Sequence, residues 1–191
     1  RQSELAELLA DELLQCCTSD CLSEECIREI IERHKLTPRH NNQVSSYQFF
    51  RMACCNEKTT KGIIQYLLKY FPAAASIADD EGQYPLHYAC ASNDVSIGVI
   101  QLLIDTAPDS VHRKDKGGHM PLHYLCGMSA LEEMKSLEIL QLLLERCPES
   151  IRHKSNDGFL PIHIAAERKS PEFLSLLIEA NPGSERMTSS M

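Results

Sequence analysis

The sequence lacks tryptophan and is poor in aromatic residues, which make up 6% of its 191 positions. Sheets are usually rich in aromatic and β-branched side chains, whereas leucine and isoleucine dominate here, so we expect an α-rich protein. Its 43% hydrophobic content is sufficient for a core of ordinary size.

Positive charge is also scarce, because 19 lysine and arginine residues face 27 acidic ones, for a formal net charge of -8. The overall field therefore repels phosphate backbones, and we expect no nucleic-acid partner. No run of residues approaches the roughly 18 to 20 apolar positions that cross a bilayer, since the longest nearly apolar run, 71–78, contains Pro72 and Ser76. We therefore expect no membrane insertion.

The chain also lacks an initiating methionine and a basic, then apolar, leader, so we interpret it as an excised fragment. The chain has nine cysteines, an odd number, so they cannot all pair with one another. Three of them, Cys54, Cys90 and Cys126, recur at one repeat position. Because a chain of this length can bury its own core, we expect reduced thiols rather than disulfides. This expectation favours an intracellular, cytoplasmic protein, with the nucleus as the alternative.

Three segments align with one another: DEGQYPLHYAC, KGGHMPLHYLC and NDGFLPIHIAA, whose prolines Pro85, Pro121 and Pro161 are 36 and 40 residues apart. Proline suits the first position of a helix because its missing N–H would have no partner there, and a glycine three residues earlier permits a tight turn. Each segment therefore predicts a first helix.

A second apolar block belongs to each unit, with hydrophobic residues at i, i+1, i+4 and i+5, which predicts an amphipathic second helix. The predicted stripes are Ile63, Ile64, Leu67 and Leu68; Val99, Ile100, Leu103 and Ile104; Ile139, Leu140, Leu143 and Leu144; and Phe173, Leu174, Leu177 and Ile178. A proline closes each block, namely Pro72, Pro108, Pro148 and Pro182.

The spacing of the prolines indicates how the units are arranged. A closing proline and the next opening proline are always 13 residues apart, whereas the two prolines of one unit are 23, 27 or 21 apart. A stack of units predicts this, because the linker between neighbours sets their register while the turn within a unit tolerates insertion. We therefore expect an all-α solenoid of stacked antiparallel helix pairs with short hairpin-like connections.

QFFRMACC falls in the same register one repeat earlier and is interpreted as a degenerate copy. Before it, ELAELLADELLQCC and LSEECIREIIERH predict two amphipathic helices. We expect an N-terminal helical capping unit with a polar outer face at 1–46. The repeats that follow are expected at 47–82, 83–118, 119–158 and 159–191.

PLHYAC, PLHYLC and PIHIAA, together with the later LLI and LLL blocks, resemble the ankyrin repeat. The family signature is a turn glycine, then Thr-Pro-Leu-His-x-Ala-Ala, then a second helix with paired leucines. Here Tyr84, Met120 and Leu160 replace the threonine, and the linker is about one residue longer, which suggests a divergent, long-repeat variant. The resemblance implies a concave face lined by the first helices and by hairpin turns, here called fingers, and a role in protein binding without a cofactor.

The histidines His87, His123 and His163 could suggest a metal site or a catalytic set, but each belongs to a different repeat. Packed helices lie about 8 to 10 Å apart, so three equivalent imidazoles cannot reach one ion with bonds near 2 Å. We expect each histidine to bond to backbone between neighbouring turns, as the resemblance implies. The resemblance gives a structural role to Pro85, Leu86, His87, Pro121, Leu122, His123, Pro161, Ile162 and His163.

The cluster Cys16, Cys17, Cys21 and Cys26 has no standard zinc spacing, and neighbouring side chains on a helix point about 100° apart, so we expect no metal there; zinc stays open as an alternative. No G-x-S-x-G, P-loop or H-E-x-x-H motif occurs. A thiol-based enzyme is the catalytic alternative, although no single cysteine stands out.

The resemblance carries the family's contact positions onto Asp80, Glu81, Gln83, Ala91, Ser92, Lys116, His119, Gly127, Met128, Asn156, Asp157, Phe159, Glu167 and Arg168. Lys114 joins them because the second finger is basic, whereas the first is acidic. We expect a partner with a complementary charge stripe to lie across the fingers, anchored on Phe159 and Met128. The alternative is that these charges simply solvate exposed turns.

Two classes of function remain from the sequence. The first is a non-catalytic protein–protein interaction module, and the second is a regulatory or targeting domain of a larger enzyme whose catalytic part lies outside the fragment. We expect a monomer, with end-to-end association through the C-terminal end as the alternative.

Overall fold

The computed structural model describes residues 2–38, 44 and 46–181. Within them it contains ten α-helices and no strand, which confirms the all-α prediction. In chain order the helices are α1 (Gln2–Thr18), α2 (Glu24–Arg33), α3 (Gln48–Cys55), α4 (Lys61–Tyr70), α5 (Pro85–Cys90), α6 (Ile97–Thr106), α7 (Pro121–Gly127), α8 (Glu133–Arg146), α9 (Pro161–Ala165) and α10 (Pro171–Ala180). Pro182 and the end of the last predicted repeat lie outside the described residues.

The helices pair in chain order and the pairs pile up in a line. The first helices α1, α3, α5, α7 and α9 each pack against the next, and α2, α4, α6 and α8 form a second row in the same way. The two helices of each pair also pack against each other. This arrangement confirms the predicted solenoid, and the α1–α2 pair occupies the place of a repeat at its N-terminal end.

The apolar stripes of the second helices form the core between the two rows. All four predicted stripe residues of α4 and of α6 are buried. In the later helices Leu144 and Leu174 are only half-buried, and Ile178 is 37% exposed, since no further described helix packs over α10. At the opposite end, Leu5 and Leu8 of α1 are exposed. The surface of this unit is therefore less polar than expected from the sequence.

The three closing prolines that the structure describes begin short 3-10 helices, which the sequence did not predict. These are Pro72–Ser76, Pro108–His112 and Pro148–Arg152. The preceding α-helix ends two residues before the proline, and Phe71, directly before Pro72, has φ -130° and ψ 64°. Proline disfavours the α conformation in the residue before it, and this restriction ends the α-helix early.

The longest unit takes up its additional residues in a helix rather than in a turn. Helix α8 has 14 residues, whereas α6 and α10 have ten each. Within the added N-terminal turn of α8, Lys135 Nζ lies 2.8 Å from Asp94 Oδ1 of the preceding repeat. The number of residues within a unit does vary as expected. The added residues, however, lengthen α8 by about one turn instead of lengthening the connection between the two helices.

Candidate functional site

Three fingers precede the first helices α5, α7 and α9, and each closes with a backbone hydrogen bond across five residues. In the first finger the Asp79 N–H donates to Gln83 O at 3.0 Å. Gly118 of the second finger has φ 77°, in the left-handed region that favours glycine. The fingers are residues 79–83, 115–119 and 155–159.

Backbone hydrogen bonds join the fingers into one continuous row. The Lys116 N–H donates to Glu81 O at 2.8 Å, and the Asn156 N–H donates to Gly117 O at 2.9 Å. The Asn156 side chain also donates to Lys116 O at 2.8 Å. The separation and order of the charged finger tips are therefore fixed by main-chain contacts.

Two of the repeat histidines connect their own helix to the next finger. His87 Nδ1 accepts the Tyr84 N–H at 3.0 Å, and its Nε2 lies 3.3 Å from His119 O. His123 Nδ1 accepts the Met120 N–H at 3.2 Å, and its Nε2 lies 3.1 Å from His153 O, just before the third finger, and 3.3 Å from Phe159 O within it. This pattern requires the neutral tautomer with the proton on Nε2, because the carbonyl must receive a donor.

Burial keeps these two imidazoles uncharged. It lowers the pKa of His87 below its ordinary value. For His123, burial together with the charge of nearby His119 lowers the pKa to about 4. The third repeat histidine, His163, is half-buried, and its Nδ1 accepts the Leu160 N–H at 3.2 Å.

An aspartate and a tyrosine brace each of the first two fingers, and sequence reasoning missed them. Tyr88 donates its hydroxyl to Asp79 Oδ2, and Tyr124 donates to Asp115 Oδ2, both at 2.6 Å. Burial alone would raise the pKa of Asp115, but the Tyr124 and finger hydrogen bonds and the neighbouring histidines lower it below its ordinary value. The sequence does contain a pattern that indicates this pair, since an aspartate precedes a tyrosine by nine residues in two repeats.

Most of the predicted contact residues reach the surface. The exposed ones are Asp80, Glu81, Lys114, Lys116, Asn156, Asp157, Phe159, Glu167 and Arg168, and the half-buried ones are Gln83, Ala91, His119, Gly127 and Met128. Ser92 must be removed from the set because it is only 4% exposed. Its hydroxyl faces Cys55 O of the preceding repeat at 3.5 Å, so it lies beneath the surface.

The exposed charges at and beside the first two finger tips have no ion-pair partner in residues 2–38, 44 and 46–181. Among the described residues, no ion pair engages Asp80 or Glu81 of the first finger, nor Lys116 of the second finger, nor Lys114 directly before it. Adjacent fingers therefore carry two carboxylates on one and two ammonium groups at or next to the other, and these groups can meet charges from outside.

The nine cysteines are all free thiols, and most of them are buried. Burial raises the pKa of Cys55 and of Cys126 to about 12 and, with nearby Cys26, that of Cys17 to about 12. Such thiols stay protonated near neutral pH and are poor nucleophiles. No set of three metal donors forms among the four N-terminal cysteines, all of which are described.

One set of three metal donors does occur in the described part of the chain. The donor atoms of His112, Cys147 and Glu149 lie within 4.8 Å of one another, and His112 Nδ1 is 3.0 Å from Glu149 Oε1. At the equivalent junction of the next unit, Arg152 Nε donates to Asn181 Oδ1 at 2.8 Å. The side chain four residues after the closing proline, His112 or Arg152, thus makes a polar contact near the next closing proline in both units, and we assign the cluster no metal.

Comparison with known proteins bears on the family. A family model described as ankyrin repeats, in three copies, matches residues 50–137. The matched range begins within α3, and so includes the copy interpreted as degenerate, and ends within α8. A search of curated protein sequences finds no significant match. No described helix is both long and apolar enough to span a membrane.

Proposed function

Because the chain belongs to the ankyrin repeat family, whose repeats generally mediate protein–protein interaction, we propose that it binds a partner protein across its row of fingers and first helices. The observation that carries this proposal is that two neighbouring finger tips have opposite charge and that their exposed charged side chains form no ion pair within the described part of the chain. The Lys116–Glu81 main-chain hydrogen bond holds them in register.

The charge order predicts the chemistry of the partner. A segment crossing the row would place acidic side chains over Lys114 and Lys116 and basic ones over the first finger. Phe159, which is 42% exposed on the third finger, offers an aromatic anchor, and half-buried Met128 offers a second apolar contact. Such anchors supply affinity, while the charges set orientation.

The same observations support a module without catalysis of its own. Buried thiols with raised pKa values disfavour a cysteine nucleophile, and nine free cysteines favour a reducing, intracellular and cytoplasmic setting. We propose that the module acts as a monomer, either alone or as the binding part of a larger protein.

The test begins with capture of partners by the whole chain, followed by affinity measurement with the partner obtained. Charge reversal at Lys114→Glu and Lys116→Glu together should weaken binding by about tenfold and reduce its dependence on salt. The matched control is Lys58→Glu with Lys61→Glu, which makes the same charge change at two exposed positions, one in the turn before α4 and one at its first residue. Equal affinities for the wild-type chain and the finger variant would reject binding across the fingers.

A further inference from the structure

A cavity of about 480 Å³ opens between α3 and the first finger. This volume lies within the range of protein sites that hold a small ligand or a side chain. Its walls include Tyr47, Arg51, Met52, Asp79, Asp80 and Glu81. We call it the Arg51 pocket.

Arg51 stands where later repeats have their connecting histidine, since it precedes His87 by 36 residues, one repeat length. In the later repeats the imidazole accepts one backbone hydrogen bond and donates another to the next finger. A guanidinium has no acceptor atom and cannot reproduce this pattern. The pocket therefore lies at the repeat where the usual connection is replaced.

Arg51 is left with an unsatisfied donor. The residue is only 8% exposed, and its Nε has no hydrogen-bond partner among the residues that the structure describes. Asp79 forms a long ion pair with Arg51, but its Oδ2 is 3.9 Å from Nε, beyond hydrogen-bond distance, and already accepts the Tyr88 hydroxyl. Buried donors in proteins are nearly always paired, so the Arg51 guanidinium, which lines the cavity, is short of an acceptor within the described residues.

The charges of the pocket restrict what that acceptor can be. One guanidinium faces three carboxylates, of which Asp80 and Glu81 are exposed and form no ion pair with any described residue. A ligand carboxylate would be repelled by this surplus of negative charge, whereas a neutral carbonyl would not. A cation next to that carbonyl would in turn be attracted to Asp80 and Glu81.

The remaining wall suits the stem of a long basic side chain. Tyr47 and Met52 provide aromatic and thioether surface beside the acidic rim. Lysine and arginine place their methylene groups on such surface while the charged end meets an acid. A peptide carbonyl next to a lysine or arginine side chain therefore fits the unpaired Arg51 donor, the acidic rim and the apolar wall of the pocket.

We propose that the Arg51 pocket binds an extended segment of a partner protein, with a main-chain carbonyl accepting from the Arg51 guanidinium and an adjacent basic side chain paired with Asp80 and Glu81. The proposal rests on the proposed function and deepens it, because it assigns the basic part of the partner to one site on the row of fingers. The second finger then faces the acidic part.

Short blocked peptides test the pocket without any knowledge of the partner. The probes are acetyl-Ala-Arg-Ala-amide, acetyl-Ala-Gln-Ala-amide and acetyl-Ala-Glu-Ala-amide, titrated into the whole isotope-labelled chain. The NMR signals of the Arg51 Nε–H and of the Met52 methyl group report on the pocket directly. We expect the arginine peptide to shift both signals at the lowest concentration and the glutamate peptide to shift neither.

Two variants separate the contributions of the pocket. Arg51→His restores the residue of the later repeats, so it should fold as the wild-type chain does and lose the shift of the Met52 methyl signal. Asp80→Asn with Glu81→Gln should weaken the arginine peptide about fivefold, the effect of removing two exposed ion pairs. The control is Glu138→Gln with Glu145→Gln, an equal charge change on the exposed side of α8 that should leave binding unchanged.

Several results would overturn the proposal. One is the absence of any shift of the Arg51 signal with the arginine peptide, and another is a stronger response to the glutamate peptide. A third is unchanged binding in the Asp80 and Glu81 variant. None of these results would alter the outcome of the Lys114 and Lys116 experiment, so failure of the pocket and failure of partner binding across the fingers are distinguishable.

Discussion

His123 should make the stability of the stack depend on pH within a defined window. The residue is 2% exposed, and the folded-state pKa of its imidazole is about 4 against an ordinary value of 6.5. One pKa unit corresponds to about 1.4 kcal/mol, so this difference is worth about 3 kcal/mol of unfolding free energy. Protonation would also put a second N–H on Nδ1, which now accepts the Met120 N–H.

The sign of the effect follows from the direction of the pKa change. At pH values between 6.5 and about 4 the unfolded chain binds a proton at this position and the folded chain does not. The free energy of unfolding therefore falls as the pH falls through this window. The loss begins near the ordinary pKa and is complete once the folded imidazole is protonated as well.

The measurement compares the wild-type chain with His123→Gln by urea denaturation, followed by far-ultraviolet circular dichroism, from neutral pH to about pH 4. Glutamine retains a donor and an acceptor but does not titrate. We expect the variant to be less stable at neutral pH, yet to lose about 3 kcal/mol less stability on acidification. His87 and His153 remain in both proteins, so their contributions cancel. Parallel losses in the two proteins would refute the assignment to His123.

Two further substitutions test the fingers. Gly118→Ala should reduce the free energy of unfolding by about 2 kcal/mol or more, because its φ is positive and a Cβ would lie 2.9 Å from Asn156 N. Gly127→Ala is its control, since a Cβ there meets only Ile164 Cγ2 at 3.8 Å; equal losses from both would contradict the strain argument. Tyr124→Phe should cost about 1 to 3 kcal/mol and raise the pKa of Asp115, followed by NMR, whereas an unmoved pKa would show that the hydroxyl does not stabilise that carboxylate.

The sequence predicted the stack of helix pairs well, because its evidence is periodic. The constant spacing of 13 residues between closing and opening prolines and the apolar stripes are properties of the pattern, not of one residue. Helix ends were less predictable, as Phe71 and the 3-10 helix at Pro72 show. Those ends depend on local backbone angles that a hydrophobic pattern does not record.

The binding surface was predictable only as a set of positions. Ser92 occupies a position that the family resemblance assigns to contact, but the Cys55 carbonyl of the neighbouring repeat covers it. Arg51 was visible in the sequence opposite His87, yet the cavity beside it depends on how α3 packs against the first finger. Such features arise between repeats, and a sequence read one repeat at a time does not contain them.

The lengthened helix α8 shows how a stack of this kind can change in size. Each helical residue rotates by about 100°, so four added residues complete a little more than one full rotation and return the apolar stripe to nearly its former direction. An insertion of two residues would rotate the part of the helix before it by about 200° and would expose its apolar side chains to water. Insertions into the helices of such a protein are therefore expected to come in whole helical turns.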